Sequence, residues 1–459
     1  MEIQIQYYKD KSCFLIGAGG SGMSSLCHIL LDYGIKVYGF DKRIGASITA
    51  LQKKGFNFVE KVENLMNIDF AVYSTAINKQ TNEFYIYFLN NKIPLYHRSE
   101  ILHSLFSLNK SISVAGSHGK TSTTTMLSQV LLECNLNPSI MIGGETSLLD
   151  GAGGRYGNGE WGVYESDESD GTFTNHHANI KIITNIDNDH LDFYKEEQFL
   201  KSAFSNYIFS NHQSKVIACL DDKGIFDLIK QNAQKTKTSN IIFYSEEIDK
   251  EFSAHHYEIK KNHLQFTYNF IEYDLSLPIY GDHFLKNAMA VVLASIELGI
   301  TPEKSIQILK NFSGVKRRME KKGSKGNIEF LDDYGHHPTE IDAVCKAINS
   351  IKKINARTVV LFQPHRFTRT RDHYNEFGKS LSQCDFIFLL PIYSAGENPI
   401  ENINSDLIKT TIDCPSELLS GNVEEDCKKL KSFLKEGDIF LTLGAGNVYE
   451  WGEFLLKMS

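Results

Sequence analysis

Glycines, a lysine and several hydroxyl side chains are concentrated in one stretch, Val114-Ala-Gly-Ser-His-Gly-Lys-Thr-Ser-Thr-Thr-Thr125. Residues 112–115 are mostly apolar and residues 126–133 have a helical pattern, which together predict a strand, a phosphate-binding loop and a helix N-terminus. In such a loop Lys120 could reach the β- and γ-phosphates of ATP, and the Thr121 hydroxyl could hold Mg²⁺. The expected ATP-binding residues of this loop are Gly116, Ser117, His118, Gly119, Lys120, Thr121 and Ser122.

The spacing of this loop differs from the usual phosphate loop, because Gly116 lies three residues before Gly119 and not five. A glycine turn before an ordinary helix is therefore the alternative interpretation. The Gly-Lys-Thr sequence directly after an apolar run favours ATP binding.

A second glycine loop near the N-terminus has the complete Gly-x-Gly-x-x-Gly pattern. It lies between an apolar run, residues 13–16, and a helical pattern, residues 23–33. Such a unit holds a diphosphate on a helix N-terminus; the pattern taken alone indicates NAD, although any nucleotide diphosphate could use it. Tight packing of strand on helix without a ligand is the weaker alternative. The expected binding residues are Gly17, Gly19, Gly20, Ser21, Gly22 and Asp41.

Length and composition indicate a soluble protein of about three domains. The chain has 459 residues, of which 42% are apolar and 23% charged, and a net charge of −8. This charge argues against a nucleic-acid-binding protein, which usually has a basic face. The eight cysteines form no Cys-x-x-Cys pair, which favours reduced thiols in a cytoplasmic protein.

Neither a signal peptide nor a membrane span is expected. The first ten residues lack an apolar signal core, and no apolar run approaches the roughly 20 residues that a spanning helix needs. We expect no membrane insertion, and a monomer or a homodimer.

Alternating strand and helix patterns predict three α/β domains, each built on a mostly parallel sheet. The expected domains are residues 1–108 and 314–459, both Rossmann-like, and residues 109–313, a P-loop-type ATPase domain. The predicted strands are 13–16, 36–40, 70–73, 112–115, 162–164, 181–184, 328–331, 358–362, 386–390 and 439–443. The predicted helices are 23–33, 126–133, 285–298, 302–311 and 339–349. Residues 143–159 hold seven glycines and predict a mobile loop, with a surface hairpin as the alternative.

Acidic residues follow two predicted strands of the second domain. The stretch Tyr164-Glu-Ser-Asp-Glu-Ser-Asp170 follows one strand, and Thr184-Asn-Ile-Asp-Asn-Asp-His-Leu-Asp192 follows the other. Ligands bind at the carboxyl ends of strands in doubly wound sheets, and carboxylates with a histidine suit Mg²⁺ beside ATP phosphates. One such stretch alone would indicate a solvated loop, but two of them favour a metal site.

A third polar group follows two predicted strands of the last domain. Asp332-Asp-Tyr-Gly-His-His-Pro338 follows one strand, and Gln363-Pro-His-Arg-Phe-Thr-Arg-Thr-Arg371 follows the next. Three arginines and a histidine can bind a carboxylate or phosphate through bidentate hydrogen bonds. A polar substrate pocket is favoured over a metal site, because neighbouring histidines point apart unless the backbone turns. The pairs at 176–177 and 255–256 lack further ligands and are predicted to lie on the surface.

Six motifs, in order along nearly the whole chain, resemble those of the Mur ligases. They are Gly116-Ser-His-Gly-Lys-Thr-Ser-Thr123, Glu165-Ser-Asp-Glu-Ser-Asp170, the stretch 184–192, Gly314-Val-Lys-Arg-Arg318, Asp332-Asp-Tyr-Gly-His-His-Pro-Thr-Glu340 and Phe362-Gln-Pro-His-Arg-Phe-Thr-Arg-Thr370. The last two resemble the branch that adds L-alanine. The resemblance implies ATP-dependent ligation of L-alanine to the carboxylate of UDP-N-acetylmuramate through an acyl phosphate, a cytoplasmic step of peptidoglycan precursor synthesis.

The resemblance also implies roles for individual residues. The first glycine loop would hold the UDP diphosphate, which replaces the NAD interpretation. Residues implied for ATP or Mg²⁺ are Lys120 for phosphate, Thr121, Glu168 and His190 for metal, Asn287 for adenine, and Arg318 and Asp333 near the phosphates and ribose. Residues implied for the amino acid are Tyr334, His336, His365, Arg366 and Arg369. The expected catalytic residues are Lys120 and Arg318, which would neutralise phosphate charge, and His336, which would accept or orient a proton.

Two other classes of protein are the alternatives. The first glycine loop alone would suit an NAD-dependent dehydrogenase, which a nicotinamide absorbance change would reveal. The Lys120 loop alone would suit a non-enzymatic nucleotide switch, which would hydrolyse ATP slowly whatever acceptor is present.

Overall fold

Three β-sheets, each flanked by helices, form the protein in a computed structural model that describes residues 3–42, 44–65, 67–175, 177–188, 191–247 and 251–458. Contacts divide the chain into two compact units. The first comprises Met1–Ser276 and Lys286–Ser313 and holds two sheets, and the second comprises Leu277–Leu285 and Gly314–Ser459 and holds one. The predicted α/β fold with mostly parallel sheets is confirmed.

The first sheet has five parallel strands in the order β3-β2-β1-β4-β5. The strands are β1 (Ser12–Ile16), β2 (Lys36–Phe40), β3 (Asn57–Phe58), β4 (Phe70–Tyr73) and β5 (Leu95–His97). The helices are α1 (Ser21–Tyr33), α2 (Ala46–Lys53), α3 (Glu83–Asn90) and α4 (Arg98–Phe106). Cys13 and Leu15 pack in one apolar cluster and Phe14 and Ile16 in another, so both faces of β1 are covered. The strand order reverses at β1, which places the first glycine loop at a topological switch point.

The second sheet has ten strands in the order β15-β14-β13-β12-β11-β10-β6-β9-β7-β8. The strands are β6 (Lys110–Ala115), β7 (Ser139–Met141), β8 (Gly154–Arg155), β9 (Trp161–Glu165), β10 (Ile180–Ile183), β11 (Lys215–Cys219), β12 (Asn240–Ser245), β13 (Ala254–Lys260), β14 (His263–Tyr268) and β15 (Ile271–Ser276). The helices are α5 (Lys120–Glu133), α6 (Leu191–Tyr194), α7 (Glu197–Phe209), α8 (Lys223–Gln231), α9 (Ala233–Thr238), α10 (Asp282–Glu297) and α11 (Pro302–Leu309). The pairs from β13 through β7 are parallel, and antiparallel pairs complete both ends.

The third sheet, in the second unit, has six strands in the order β16-β17-β21-β18-β19-β20. The strands are β16 (Glu320–Lys325), β17 (Ile328–Asp333), β18 (Thr358–Phe362), β19 (Phe386–Leu389), β20 (Ser416–Leu418) and β21 (Ile439–Leu443). The helices are α12 (Pro338–Ile351), α13 (Phe367–Leu381), α14 (Ser405–Lys409), α15 (Val423–Phe433) and α16 (Tyr449–Lys457). All neighbouring strands are parallel except β16 and β17.

The glycine-rich segment 143–159 contains part of a hairpin, which was the alternative prediction for it. Strand β7 pairs antiparallel with β8, and a Cβ atom at Gly154 would lie 2.2 Å from the Ser25 carbonyl oxygen. Glycine is therefore required where this hairpin meets α1. Within the described part of the chain, no helix has the length and apolar character needed to cross a membrane.

The histidine pairs that were predicted to lie on the surface differ from each other. His177 and His256 are exposed. His255 is partly buried beside the Tyr268 ring, 5.8 Å between centroids, so its predicted exposure is corrected. His176 lies outside the described residues.

Candidate active site

The phosphate loop connects β6 to α5, and the segment after β10 fixes its backbone. Thr184 Oγ1 donates a hydrogen bond to the His118 carbonyl oxygen at 2.6 Å, and Asn185 Oδ1 accepts one from the His118 N–H at 2.8 Å. Gly116 has φ 138°, and a Cβ atom there would lie 2.1 Å from Thr184 Oγ1. The loop therefore needs glycine, and its shape is set by a neighbouring strand end.

Helix α5 begins at Lys120, so the predicted residues Lys120, Thr121 and Ser122 form its first turn. Backbone N–H groups of a first helical turn have no intrahelical partner and are suited to bind phosphate oxygens. Ser117 and Asp187 bond to each other twice, through the serine hydroxyl and the Asp187 backbone, at 2.9 and 3.1 Å. These hydrogen bonds fix the loop just before the first turn of α5, where backbone N–H groups could bind phosphate.

Lys120 lies over its own loop and pairs with Glu168. Its Nζ donates to both Glu168 carboxylate oxygens at 2.8 Å and to the Gly116 carbonyl oxygen at 2.6 Å. The Glu168 side chain is fully buried. Burial would lower the pKa of Lys120, but Glu168, followed by Asp167 and Glu165, raises it above its ordinary value. The ammonium therefore remains charged beside the position that phosphates would occupy.

Oxygen ligands surround the start of α5. Thr121 Oγ1 donates to Glu165 Oε2 at 3.3 Å, and the Gly143 N–H donates to Glu165 Oε1 at 2.7 Å. Together with the Glu168 carboxylate, these groups offer the hard oxygen donors that Mg²⁺ prefers, and Glu168 already pairs with a cation. The chemistry of this donor set therefore fits Mg²⁺. His190, the third predicted metal ligand, lies outside the described residues.

Asn287 lies on α10 and reaches the phosphate loop. A Cβ atom at Gly119 would lie 2.7 Å from Asn287 Nδ2, and Asn287 is buried. The side chain therefore packs against the last loop residue before α5, consistent with a position along a bound nucleotide.

The predicted loop residue His118 also contacts the segment after β10. Its Nε2 lies 3.1 Å from Asp187 Oδ2.

The first glycine loop lies between β1 and α1, and Asp41 fixes it. The N–H groups of Gly17 and Ala18 donate to the Phe40 carbonyl oxygen at 2.9 and 3.0 Å, and the Gly19 N–H donates to Asp41 Oδ2 at 2.8 Å. Gly20 is the N-cap of α1, so the predicted residues Ser21 and Gly22 begin that helix. Asp41 therefore holds the backbone of the loop through the Gly19 N–H.

The structure adds two residues that the motifs did not assign, Arg98 and Asp167. Arg98 Nη2 lies 2.7 Å from Asp167 Oδ2, and a Cβ atom at Gly22 would lie 2.5 Å from Arg98 Nη1. The guanidinium therefore lies between the first glycine loop and the acidic segment after β9. The sequence gives only a weak signal for this pair, because its members are 69 positions apart.

In the second unit, Asp333 holds the segment that carries Arg318. Its carboxylate accepts hydrogen bonds from the N–H groups of Met319 and Gly335, both at 2.7 Å. Burial raises the pKa of Asp333 to about 6, against a lowering effect of Arg318. The described contacts of this carboxylate organise the backbone, and the ATP contact expected for it remains a prediction.

Arginines 317 and 318 surround the Tyr334 ring. The guanidinium carbon of Arg317 lies 5.0 Å from the Tyr334 ring centroid and 4.8 Å from that of Tyr449, and that of Arg318 lies 5.2 Å from Tyr334. Arg318 Nη1 lies 3.4 Å from Glu340 Oε1. These cation–π contacts hold two guanidinium groups in place. The resemblance had implied a role for Arg318 but not for Arg317.

The residues predicted to receive the amino acid come together in this unit. The rings of His336 and His365 are 5.5 Å apart, and Arg369 Nη1 donates to His365 Nδ1 at 3.1 Å. Burial, followed by the charges of His336, Arg369 and Arg366, lowers the pKa of His365 to about 3. His365 is therefore neutral, and the surrounding cationic groups favour an anionic ligand such as a carboxylate.

One backbone feature and one side-chain contact support a functional role for this pocket. Arg366 has φ 72° and ψ 139°, a sparsely populated conformation for a non-glycine residue, and its N–H donates to the Tyr393 carbonyl oxygen at 2.8 Å. Strained residues of this kind are common at functional sites. Nδ1 of His336 lies 3.1 Å from the Tyr334 carbonyl oxygen and 3.4 Å from Glu340 Oε2, both acceptors. Nδ1 therefore carries the proton, and the lone pair of a neutral His336 is on Nε2.

Three family models match successive parts of the chain. The Mur ligase family catalytic domain matches residues 14–110, the Mur ligase middle domain matches residues 114–295, and the Mur ligase glutamate ligase domain matches residues 317–446. The matched ranges contain the first glycine loop, the phosphate loop and the cationic pocket, in that order.

Several full-length relatives share one name. The UDP-N-acetylmuramate–L-alanine ligase of Dictyoglomus turgidum is 38% identical, over 97% of this chain and 96% of that protein. The enzyme of the same name from Endomicrobium trichonymphae is 36% identical, over 98% of this chain and all of its own. The crystal structure of the UDP-N-acetylmuramate–alanine ligase of Thermotoga maritima is 25% identical, with a TM-score of 0.79 over 97% of this chain and 98% of that one.

Proposed function

The chain belongs to the Mur ligase family, and we propose that it joins L-alanine to the carboxylate of UDP-N-acetylmuramate with cleavage of ATP to ADP and phosphate. Full-length relatives with this activity in their names support the proposal. The observation that carries it is the phosphate loop before α5, where Lys120 and Glu168 form a charged pair at the first turn of the helix. The reaction is a step of peptidoglycan precursor synthesis, and we place it in the cytoplasm.

Activation of the muramate carboxylate is the first chemical step. A carboxylate oxygen attacks the γ-phosphorus of ATP, and the bond from that phosphorus to the ADP oxygen breaks, which gives an acyl phosphate. Phosphoryl transfer depends mainly on positioning and on neutralisation of charge. Once its ion pair with Glu168 is broken, Lys120 would neutralise charge on the γ-phosphate. Arg318 would stabilise the same charge.

Amide formation is the second step. The amine of L-alanine attacks the acyl carbon, the bond to the phosphate oxygen breaks, and the nitrogen loses a proton. His336 would accept or orient this proton at Nε2, since its Nδ1 donates to the Tyr334 carbonyl oxygen at 3.1 Å. Tyr334, His365, Arg366 and Arg369 would hold the alanine carboxylate.

Thr121, Glu168 and His190 would hold Mg²⁺, and we add Glu165 to this set because it accepts a hydrogen bond from the Thr121 hydroxyl. When bound, the ion would supply positive charge to the phosphate oxygens. The other ATP contacts would come from residues 116–122, Asn287 and Asp333. The UDP diphosphate would bind at Gly17, Gly19, Gly20, Ser21 and Gly22, with Asp41 beside them. We also propose that the chain forms three domains, residues 1–108, 109–313 and 314–459, and that the protein is a monomer or a homodimer.

The proposal is tested by phosphate release from ATP with UDP-N-acetylmuramate, with and without L-alanine, and by mass spectrometry of the product. We expect phosphate and the alanyl product in equal amounts when all three substrates are present. Reduction of NAD would instead indicate a dehydrogenase, and slow ATP hydrolysis indifferent to the acceptor would indicate a nucleotide switch.

A further inference from the structure

The Arg98 guanidinium lies at the N-terminus of α1, next to the loop proposed to hold the UDP diphosphate. Arg98 is the first residue of α4, and its side chain is 22% exposed. A Cβ atom at Gly22 would lie 2.5 Å from Arg98 Nη1, so glycine at this position makes room for the guanidinium. The N-terminus of a helix carries partial positive charge, and a cation placed there needs an anion nearby.

Asp167 is the anion that meets this need in the structure. Its Oδ2 lies 2.7 Å from Arg98 Nη2, and its Oδ1 accepts from the Ser169 N–H at 3.1 Å. The carboxylate and the guanidinium thus form an ion pair beside the first glycine loop.

The acidic segment after β9 connects the two loops directly. Asp167 pairs with Arg98, and the next residue, Glu168, binds Lys120 with both carboxylate oxygens at 2.8 Å. Thr75 Oγ1 also donates to Asp170 Oδ2 at 3.3 Å. One peptide bond therefore separates the partner of Arg98 from the partner of Lys120.

We propose that Arg98 is a binding residue for the UDP diphosphate and that Asp167 competes with the diphosphate for the same guanidinium. The planar guanidinium fork binds phosphate oxygens bidentately, and a diphosphate carries more charge than a carboxylate. Bound diphosphate replaces Asp167 as the partner of Arg98. This exchange takes place next to Glu168, the partner of Lys120. The inference rests on the proposed function.

The competition predicts effects of opposite sign at its two members. Arg98→Met removes the cation and should weaken UDP binding about 10- to 100-fold, as loss of charge-assisted hydrogen bonds does. Asp167→Asn removes the competing charge but keeps the Oδ1 acceptor for Ser169. It should strengthen UDP binding about threefold or more, the range of an ion pair that is partly exposed. In the double variant the gain from Asp167→Asn should vanish.

The test is titration calorimetry of UDP with the full chain and these variants, with uridine measured by displacement of UDP. Uridine affinity should not change, because it has no phosphate. The matched control is Lys54→Met, which removes another cation of the same domain, one paired with Asp32 at 2.7 Å, and should leave UDP affinity unchanged. Melting curves followed by circular dichroism show that each variant is folded.

Weaker UDP binding by folded Asp167→Asn would overturn the competition, since it would mean that the pair only supports the structure. Unchanged UDP binding by Arg98→Met would overturn the binding role. Failure of the wild-type chain to bind UDP at all would contradict the proposed function instead, so the two failures are distinguishable.

Discussion

Single residues show how the charges around the phosphate loop are balanced before substrates bind. Lys120 and Glu168 form an ion pair with each other. The resemblance, however, implies that Lys120 binds phosphate and that Glu168 binds metal. The two roles are compatible if ATP with Mg²⁺ takes both partners: phosphate replaces Glu168 beside Lys120, and the ion replaces Lys120 beside Glu168. Each residue is therefore expected to affect a different part of the reaction.

Lys120→Ala should abolish ligation, because the γ-phosphate loses its main positive charge in the loop. Single-turnover measurement of phosphate release checks this. Activity within about tenfold of the wild type would show that Lys120 is not the phosphate lysine.

Glu168→Ala should raise the Mg²⁺ concentration needed for half-maximal activity and lower the rate about 10²-fold or more. His190→Ala is expected to act in the same way. The control is Glu160→Gln, which removes a surface carboxylate paired with Lys110 and 65% exposed. Mg²⁺ titrations of all three variants test the assignment, and unchanged titrations for Glu168→Ala and His190→Ala would place the ion elsewhere.

Arg369→Lys should raise the KM for L-alanine strongly and leave the KM for ATP nearly unchanged. An ammonium cannot reproduce the planar fork of the guanidinium, which also donates to His365 Nδ1 at 3.1 Å. Arg371→Lys is the matched control, since Arg371 lies on the same helix and pairs with Asp372 at 2.7 Å on the surface. Steady-state kinetics with each substrate varied in turn is the measurement. An increase in the KM for ATP instead would show that this cluster holds phosphate.

Among the elements, strand β10 and helix α7 are joined by a buried lysine. Lys181 is fully buried, and its Nζ donates to the Tyr207 carbonyl oxygen at 2.6 Å and to Ser210 Oγ at 3.1 Å, at the end of α7. Burial lowers the pKa of Lys181 from 10.5 to about 8. The folded protein thus holds fewer protons than the unfolded chain between pH 8 and 10.5, and this residue's contribution to stability rises with pH across that window.

Lys181→Met should remove this contribution. Relative to the variant, the wild type should gain melting temperature as the pH rises from 8 to 10.5, the window set by the pKa shift. Lys110→Met, at the exposed start of the neighbouring β6, should give a profile parallel to that of the wild type. Parallel profiles for wild type and Lys181→Met would show that this lysine does not titrate as described.

Elements with continuous apolar runs were predictable from the sequence. The strands at 70–73, 358–362 and 439–443 have the predicted bounds, because buried parallel strands are largely apolar. The strand at 36–40 also has the predicted bounds, although only Val37 and Gly39 are buried. Strands β13 to β15 were missed, since only alternate residues are buried, as in His263–Tyr268. Helix α5 begins six residues before the predicted start at 126. Its first residues are hydroxyl-rich and poor helix formers, and contacts from Thr184 and Asn185 fix the start.

The candidate site was predictable where its residues are close in sequence. The two glycine loops and the arginine cluster after β18 are local motifs, and the structure places their members together. Contacts between distant residues were not predictable, such as Arg98 with Asp167, or Asp333 with the Met319 N–H at 2.7 Å. These depend on how strand ends are arranged in each sheet, which no local spacing records.

For the molecule as a whole, the residues proposed for the UDP-sugar and the phosphate loop belong to the first unit, whereas the residues proposed for the amino acid, together with Arg318 and Asp333, belong to the second. ATP hydrolysis is therefore expected to require both UDP-N-acetylmuramate and L-alanine. Phosphate release measured with each substrate omitted in turn checks this. Vigorous hydrolysis by the protein with ATP alone would contradict it.

The central claim is that the muramate carboxylate is phosphorylated before the amide forms. The most direct measurement uses UDP-N-acetylmuramate with heavy oxygen in that carboxylate, and follows the label by mass spectrometry of the released phosphate. Attack by the carboxylate on the γ-phosphorus predicts one heavy oxygen in each phosphate released, with the other retained in the product amide. Phosphate without label, formed together with the alanyl product, would contradict the acyl-phosphate route.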